Sequence, residues 1–254
     1  MLRIVRLAAV CVLMAPAVAA AQVNFPKSGY YAALGDSVAA GEGAIPVTNG
    51  YVYRLYEQGV FGEKQDMDFA VLAVRGGRSW ELLNHQVPQL LCSEAAQRPT
   101  VVTVTAGAND FLRGDINVPA IAIRVATAVN QLLNNDNGFA VPILDPFTGL
   151  PCRRLSNVTI LVSNYYRIPH PDPTTQAQFD AAIQGFDFVL RAALQGLHVP
   201  AGSRVAVVDL YTMSLEQQAN FVLTSRPGGY DIHPTNLGHA LIAREFQKVW
   251  ASLQ

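Results

Sequence analysis

Five short runs of apolar, largely β-branched residues punctuate the chain: Tyr30–Leu34, Phe69–Val74, Thr100–Thr105, Val158–Ser163 and Arg204–Val208. Runs of this length with little polar alternation fit strands covered on both faces, as in a parallel sheet. Between them, apolar positions recur at helical spacing around Tyr51–Phe61, Ser79–Leu91, Pro119–Leu133 and Gln176–Leu197, with a last helical stretch over about Leu237–Ser252. Strand–helix alternation predicts an α/β fold with a doubly wound, mainly parallel five-stranded sheet and helices on both faces. One stretch resists the scheme. Asn134–Arg154 reads as a long loop carrying Phe139, Ile143, Leu144, Phe147 and Leu150. A loop that long is either functional, here a lid or pocket wall tied down at Cys152, or a surface insertion, and the sequence leaves both open.

At 254 residues the chain suits one α/β domain with a large core. The formal net charge of −1 lacks the concentrated basic surface that nucleic-acid or anionic-membrane partners require. The first 21 residues read as a signal peptide: Arg3 and Arg6, an apolar Leu7–Met14, the break at Pro16, then small residues. Either Ala17-Val18-Ala19 or Ala19-Ala20-Ala21 fits the small-x-small cleavage rule. The apolar run is short for a bilayer span, so no stable membrane insertion is expected. Residues 22–254 then form one mature domain, secreted or periplasmic. Cys11 leaves with the leader, and Cys92 and Cys152 remain. An even count in an oxidising compartment predicts one disulfide, with two buried thiols as the alternative. The absence of Cys-x-x-Cys or a tight His/Cys cluster argues against a metal, and no cofactor is expected.

The candidate chemistry follows the strands. After the first comes Gly35-Asp36-Ser37, after the second Arg75-Gly76-Gly77, and after the third Gly107-Ala108-Asn109-Asp110. In an open parallel sheet these turns share the carboxyl edge, where ligands bind. Asp231-Ile232-His233-Pro234 precedes the last helix and can reach the same edge. A serine hydroxyl needs a base to become a nucleophile, and His233 can take its proton and return it to a leaving alcohol. The Ser37 and Gly76 backbone N–H groups and the Asn109 carboxamide can donate to a developing oxyanion.

Leu34-Gly35-Asp36-Ser37, Gly76, Gly107-Ala108-Asn109-Asp110 and His233 together resemble, in order, the four blocks of the SGNH (GDSL-type) hydrolases. The resemblance covers about Tyr30 to the end of the last helix. It implies a flavodoxin-like three-layer α/β/α sandwich and an ester hydrolase of the esterase or lipase kind. In that reading Ser37 is the nucleophile, His233 the base, and Ser37, Gly76 and Asn109 form the oxyanion hole. One departure stands out. The family places its acid three residues before the histidine, where this chain has Tyr230; Asp231 is two before. Either Asp231 orients the imidazole, or a backbone carbonyl near Tyr230 does so and leaves a Ser–His dyad.

Other residues read as structural. Asp36 and Asp110 suit turn-holding roles, His170 a solvated loop, and His239 packing or hydrogen bonding in the last helix. The sequon Asn157-Val158-Thr159 runs into a predicted buried strand and is discounted. The expected partner is a small ester or acyl substrate, with the chain acting as a monomer. A polysaccharide or envelope-glycan deacetylase or acyltransferase is the nearest alternative, and apolar residues in 134–154 favour acyl chains. A non-catalytic binding protein on the same fold is the alternative of a different class.

Overall fold

A computed structural model describes residues 29–93, 98–170, 172–217 and 232–254. The segment read as a signal peptide, together with Tyr230 and Asp231, lies outside the described residues. Five parallel strands, β1 (Gly29–Gly35), β2 (Met67–Val71), β3 (Val101–Thr105), β4 (Thr159–Ser163) and β5 (Arg204–Val208), form one sheet in the order β2-β1-β3-β4-β5. The strand predicted at Phe69–Val74 starts two residues earlier, because Gly29 of β1 pairs with Met67. Beyond β2, Leu72 and Val74 still donate to the Ala33 and Gly35 carbonyls.

Period-two alternation splits each central strand between two cores. Ala32, Leu34, Val102, Val104, Ile160 and Val162 face one layer. That layer comprises α2 (Ser79–Glu81), a π turn (Leu82–Gln86) and α3 (Val87–Leu91), followed by α5 (Val118–Asn134) and α6 (Pro173–Gln195). Tyr31, Ala33, Val101 and Leu161 face the other, made by α1 (Tyr51–Glu57) and α8 (Asn236–Ser252). Two short helices have too few turns to leave a periodic signal: α4 (Ala108–Leu112), behind β3, and α7 (Leu210–Glu216), behind β5. Helices on both faces of the parallel sheet make the predicted three-layer sandwich. Among the described residues no helix is long and apolar enough to cross a membrane.

Chain direction places the 134–154 segment. From the carboxyl end of β3, α5 runs back and delivers Asn134 to the amino edge of the sheet, from which β4 then departs. Asn134 donates there to the His198 carbonyl, ahead of β5, and Leu155 N–H donates to the Leu132 carbonyl. Asn135 holds the segment by bonding Ile143 N–H and the Ile143 and Cys152 carbonyls. Ile143 packs on the core, while Phe139, Val141, Leu144, Phe147 and Leu150 are exposed. The loop is therefore a surface insertion at the end of the sheet opposite Ser37. It is neither a lid nor a wall over the Ser37 turn, and the preference for acyl chains that rested on this loop goes with that reading. Asn157 is exposed in a left-handed turn just before β4, so the sequon asparagine itself is not buried in a strand.

Cys152 is bonded to Cys92, at the C-terminal end of α3. Linking residues 60 apart removes unfolded-chain entropy worth about 4 kcal/mol. The unreduced, denatured protein should weigh roughly 2 Da less than the reduced form, the mass of two lost hydrogens. Full alkylation without reduction would rule the bridge out.

Candidate active site at the carboxyl edge of β1, β2 and β3

The strand order reverses at β1, whose successors lie on opposite sides of it, and a crevice opens beyond such a point. Gly35 ends β1 there at φ +135°. A Cβ on it would lie 2.0 Å from the Thr105 carbonyl oxygen, so only glycine lets β1 and β3 stay this close. Asp36 N–H then donates to that carbonyl at 3.0 Å. Gln86, turned inward by the π turn, clamps Gly35 from the other side. Its Oε1 accepts the Gly35 N–H and its Nε2 donates to the Gly35 carbonyl, each at 2.7 Å. A π turn adds one residue per turn and re-aims the side chain that follows.

With its base fixed, the chain after β1 curls into a helical turn. Ala40 N–H donates to Asp36 O and Glu42 N–H to Ser37 O. Asp36 accepts from Val38 N–H at 2.9 Å and from the Tyr165 hydroxyl, a turn-holding role. Burial pushes its carboxyl up to about 6, against the Tyr165 hydroxyl, the Val38 amide and the nearby His233, which pull it down.

Ser37 Oγ lies 2.9 Å from His233 Nε2, across 196 residues of sequence. The segment after the serine turn carries the histidine. Ile45 N–H donates to Asn236 Oδ1 at 2.8 Å, and Asn236 Nδ2 returns a bond to the Ile45 carbonyl at 2.7 Å. The Tyr166 hydroxyl donates to the Ile232 carbonyl at 2.5 Å. Gly43, at φ +92°, packs flat on the histidine loop; a Cβ there would meet the Pro234 oxygen at 2.3 Å and His233 Cβ at 2.9 Å. His239, in α8, is fully buried. Its Nδ1 accepts the Tyr51 N–H at 3.2 Å and its Nε2 donates to the Glu42 carbonyl at 2.9 Å. Burial pushes this imidazole down to about 4, so it is neutral and fixed in one tautomer at neutral pH.

The glycine turn after β2 joins the same edge. Gly76 sits at φ +69°, and Gly77 packs against the Gly35 carbonyl. Asn109, at the start of α4, donates one Nδ2 hydrogen to the Gly77 carbonyl at 3.0 Å. A carboxamide nitrogen has two hydrogens, so a second donor projects from the same atom. Asp110 accepts from Ser79 N–H and Oγ and from Arg124, tying α4 to α2 and α5.

The structure thus pairs Ser37 with His233 and Asn109 with the Gly76-Gly77 turn, and Gly35 links the two pairs. Asp231 falls outside the described residues. Sequence reasoning passed over Gln86, Glu42 and the Tyr165 hydroxyl. None belongs to a local motif, and no spacing along the chain singles them out.

Residues 33–241 match the family model described as the GDSL-like Lipase/Acylhydrolase family. No curated protein matches the chain in sequence. Among solved structures it is similar to a member of the lipolytic G-D-S-L family from Veillonella parvula, at 14% identity and TM-score 0.60, covering 88% of this chain and 99% of that one. It is similar to an extracellular lipase from Streptomyces rimosus, at 18% identity and TM-score 0.57, covering 89% and 100%. A carbohydrate esterase of family 3 from Talaromyces cellulolyticus aligns at 15% identity and TM-score 0.55, over 89% and 97%. At such identities these structures speak for the fold, whereas the family match spans most of the chain. The chain belongs to the GDSL-like lipase/acylhydrolase family and is, by class, an ester hydrolase.

Proposed function

We propose that the chain is an exported serine esterase that cleaves small carboxylic esters through an acyl-enzyme on Ser37, with His233 carrying the proton. The observation behind this reading is the 2.9 Å approach of His233 Nε2 to Ser37 Oγ. As Oγ bonds to the ester carbon, its proton passes to Nε2 and the carbonyl electron pair moves onto oxygen. Collapse of that intermediate expels the alcohol, which takes the proton from His233. Water then repeats the sequence against the acyl-enzyme and releases the acid. The oxyanion donors in this scheme are the Ser37 and Gly76 N–H groups and the second Asn109 Nδ2 hydrogen. Each such donor is worth about 100- to 1,000-fold in turnover. Export fits the Cys92–Cys152 bond, which persists in oxidising compartments.

A fluorophosphonate probe should label the purified protein at Ser37, as mapped by peptide mass spectrometry. An adduct on another serine overturns the assignment. Because Nε2 faces Ser37, a tautomer-fixing acceptor must act at Nδ1. If Asp231 is that acceptor, Asp231→Asn lowers kcat by up to about 10,000-fold with the fold intact. If a backbone carbonyl serves, the loss stays near tenfold, about one hydrogen bond. Steady-state kinetics on p-nitrophenyl acetate separates triad from dyad.

A further inference from the structure

Glu42 brings a carboxylate to the imidazole from a direction the family motifs do not use. Its Oε2 lies 3.6 Å from His233 Nε2, the nitrogen that also faces Ser37, and its side chain is 23% exposed. The backbone of Glu42 is held at both ends: its N–H donates to the Ser37 carbonyl at 2.8 Å, and its carbonyl accepts from the buried, neutral His239 at 2.9 Å. The carboxylate is therefore delivered to the imidazole by the serine turn and by α8 together. Arg75 Nε stands 3.9 Å from the same Oε2 on the solvent side.

We propose that Glu42 is a positioning residue for ester cleavage, an electrostatic partner that stabilises His233 in its protonated form. The inference rests on the Ser37–His233 reading. In both chemical steps the ring becomes positively charged while its Nε2 proton moves between oxygens. A carboxylate hydrogen-bonded to Nε2 would compete for that proton. At 3.6 Å Glu42 is beyond a strong charge-assisted hydrogen bond, yet close enough for substantial attraction in a partly desolvated site. It favours the imidazolium and leaves the proton free to pass to the leaving alcohol. Other titratable groups lie near this ring in space or in sequence. Asp36 precedes Ser37, held by Val38 N–H and the Tyr165 hydroxyl, and the nearby His233 favours its charged form. His239 is neutral on the α8 side, Arg75 stands beyond Glu42, and Asp231 precedes the ring in sequence.

Glu42→Gln keeps the backbone bonds and the side-chain shape and removes only the charge. The kcat/KM–pH profile decides the question. The acid limb is expected to move to lower pH, because the ring has lost its anionic neighbour. The plateau is expected to fall about tenfold, the factor that one unit of lost stabilisation carries. Glu42→Asp, which retains the charge, should restore most of the acid limb. Circular dichroism and the melting temperature should match wild type in both variants. A Glu42→Gln profile that superimposes on wild type overturns the proposal, as does a fall in activity with an unmoved acid limb. His233→Ala, run in parallel, keeps the two readings apart. If it is severe while Glu42→Gln is silent, only the role of Glu42 is lost; if it is mild, the Ser–His reading itself is lost.

Discussion

Ser37→Ala and His233→Ala are each expected to lower kcat on a short p-nitrophenyl ester by about 10⁴- to 10⁶-fold. The two losses should be similar, and the double variant no worse than either, because nucleophile and base act as one unit. Neither change removes a bond that holds the fold. The Ser37 turn is kept by backbone bonds and by Asp36, and the histidine loop by the Ile45–Asn236 clasp and the Tyr166 hydroxyl. Circular dichroism should therefore be unchanged while turnover disappears. Residual activity within tenfold of wild type for His233→Ala would sink the serine-hydrolase mechanism, since no activated nucleophile is left without a proton acceptor.

Gly43→Ala should be nearly as informative, although residue 43 takes no part in the chemistry. An alanine Cβ would enter the space of His233 Cβ and the Pro234 oxygen, and at φ +92° the backbone is strained for any L side chain. Strain of that kind costs about 1–2 kcal/mol. Relief of the overlap pushes the imidazole away from Ser37, and a displacement near 1 Å costs about 100-fold in rate. The predicted signature is a kcat loss of that size with a modest fall in melting temperature. Gly138→Ala is the matched control. Its φ of +86° carries similar strain, but a Cβ there meets nothing within 4 Å, and it lies at the other end of the sheet. It should lose some stability and keep its activity. Equal activity in the two variants would show that the loop after Ser37 does not hold the histidine.

Much of this arrangement was legible in the sequence. Buried parallel strands read as continuous apolar runs, and each run found its strand, with end shifts set by register, as at Met67. The Ser37, Gly76 and Asn109 turns were legible for the same reason: once strands alternate with helices in a parallel sheet, every turn after a strand must lie on one edge. The Cys92–Cys152 pair followed from the even count left once the segment read as a signal peptide is set aside and is joined in the structure.

Tertiary structure alone decided the rest. The apolar residues of 134–154 suggested a pocket wall, but the direction of α5 sends that loop to the amino edge, and direction is a property of the assembled sheet. Gln86 sits in an ordinary amphipathic stretch; a π turn aims it at Gly35, and no periodicity announces that turn. Glu42 carries no mark in the sequence; the loop before α8 and α8 itself, nearly 200 residues later, bring His233 and His239 against it. Local sequence encodes which way a side chain alternates and where a turn falls, because those depend on neighbours a few residues apart. Distances between Ser37, Glu42 and His233 depend on strand order and on loops packed against each other, as at Gly43, and those exist only once the sheet is closed by its two helical layers.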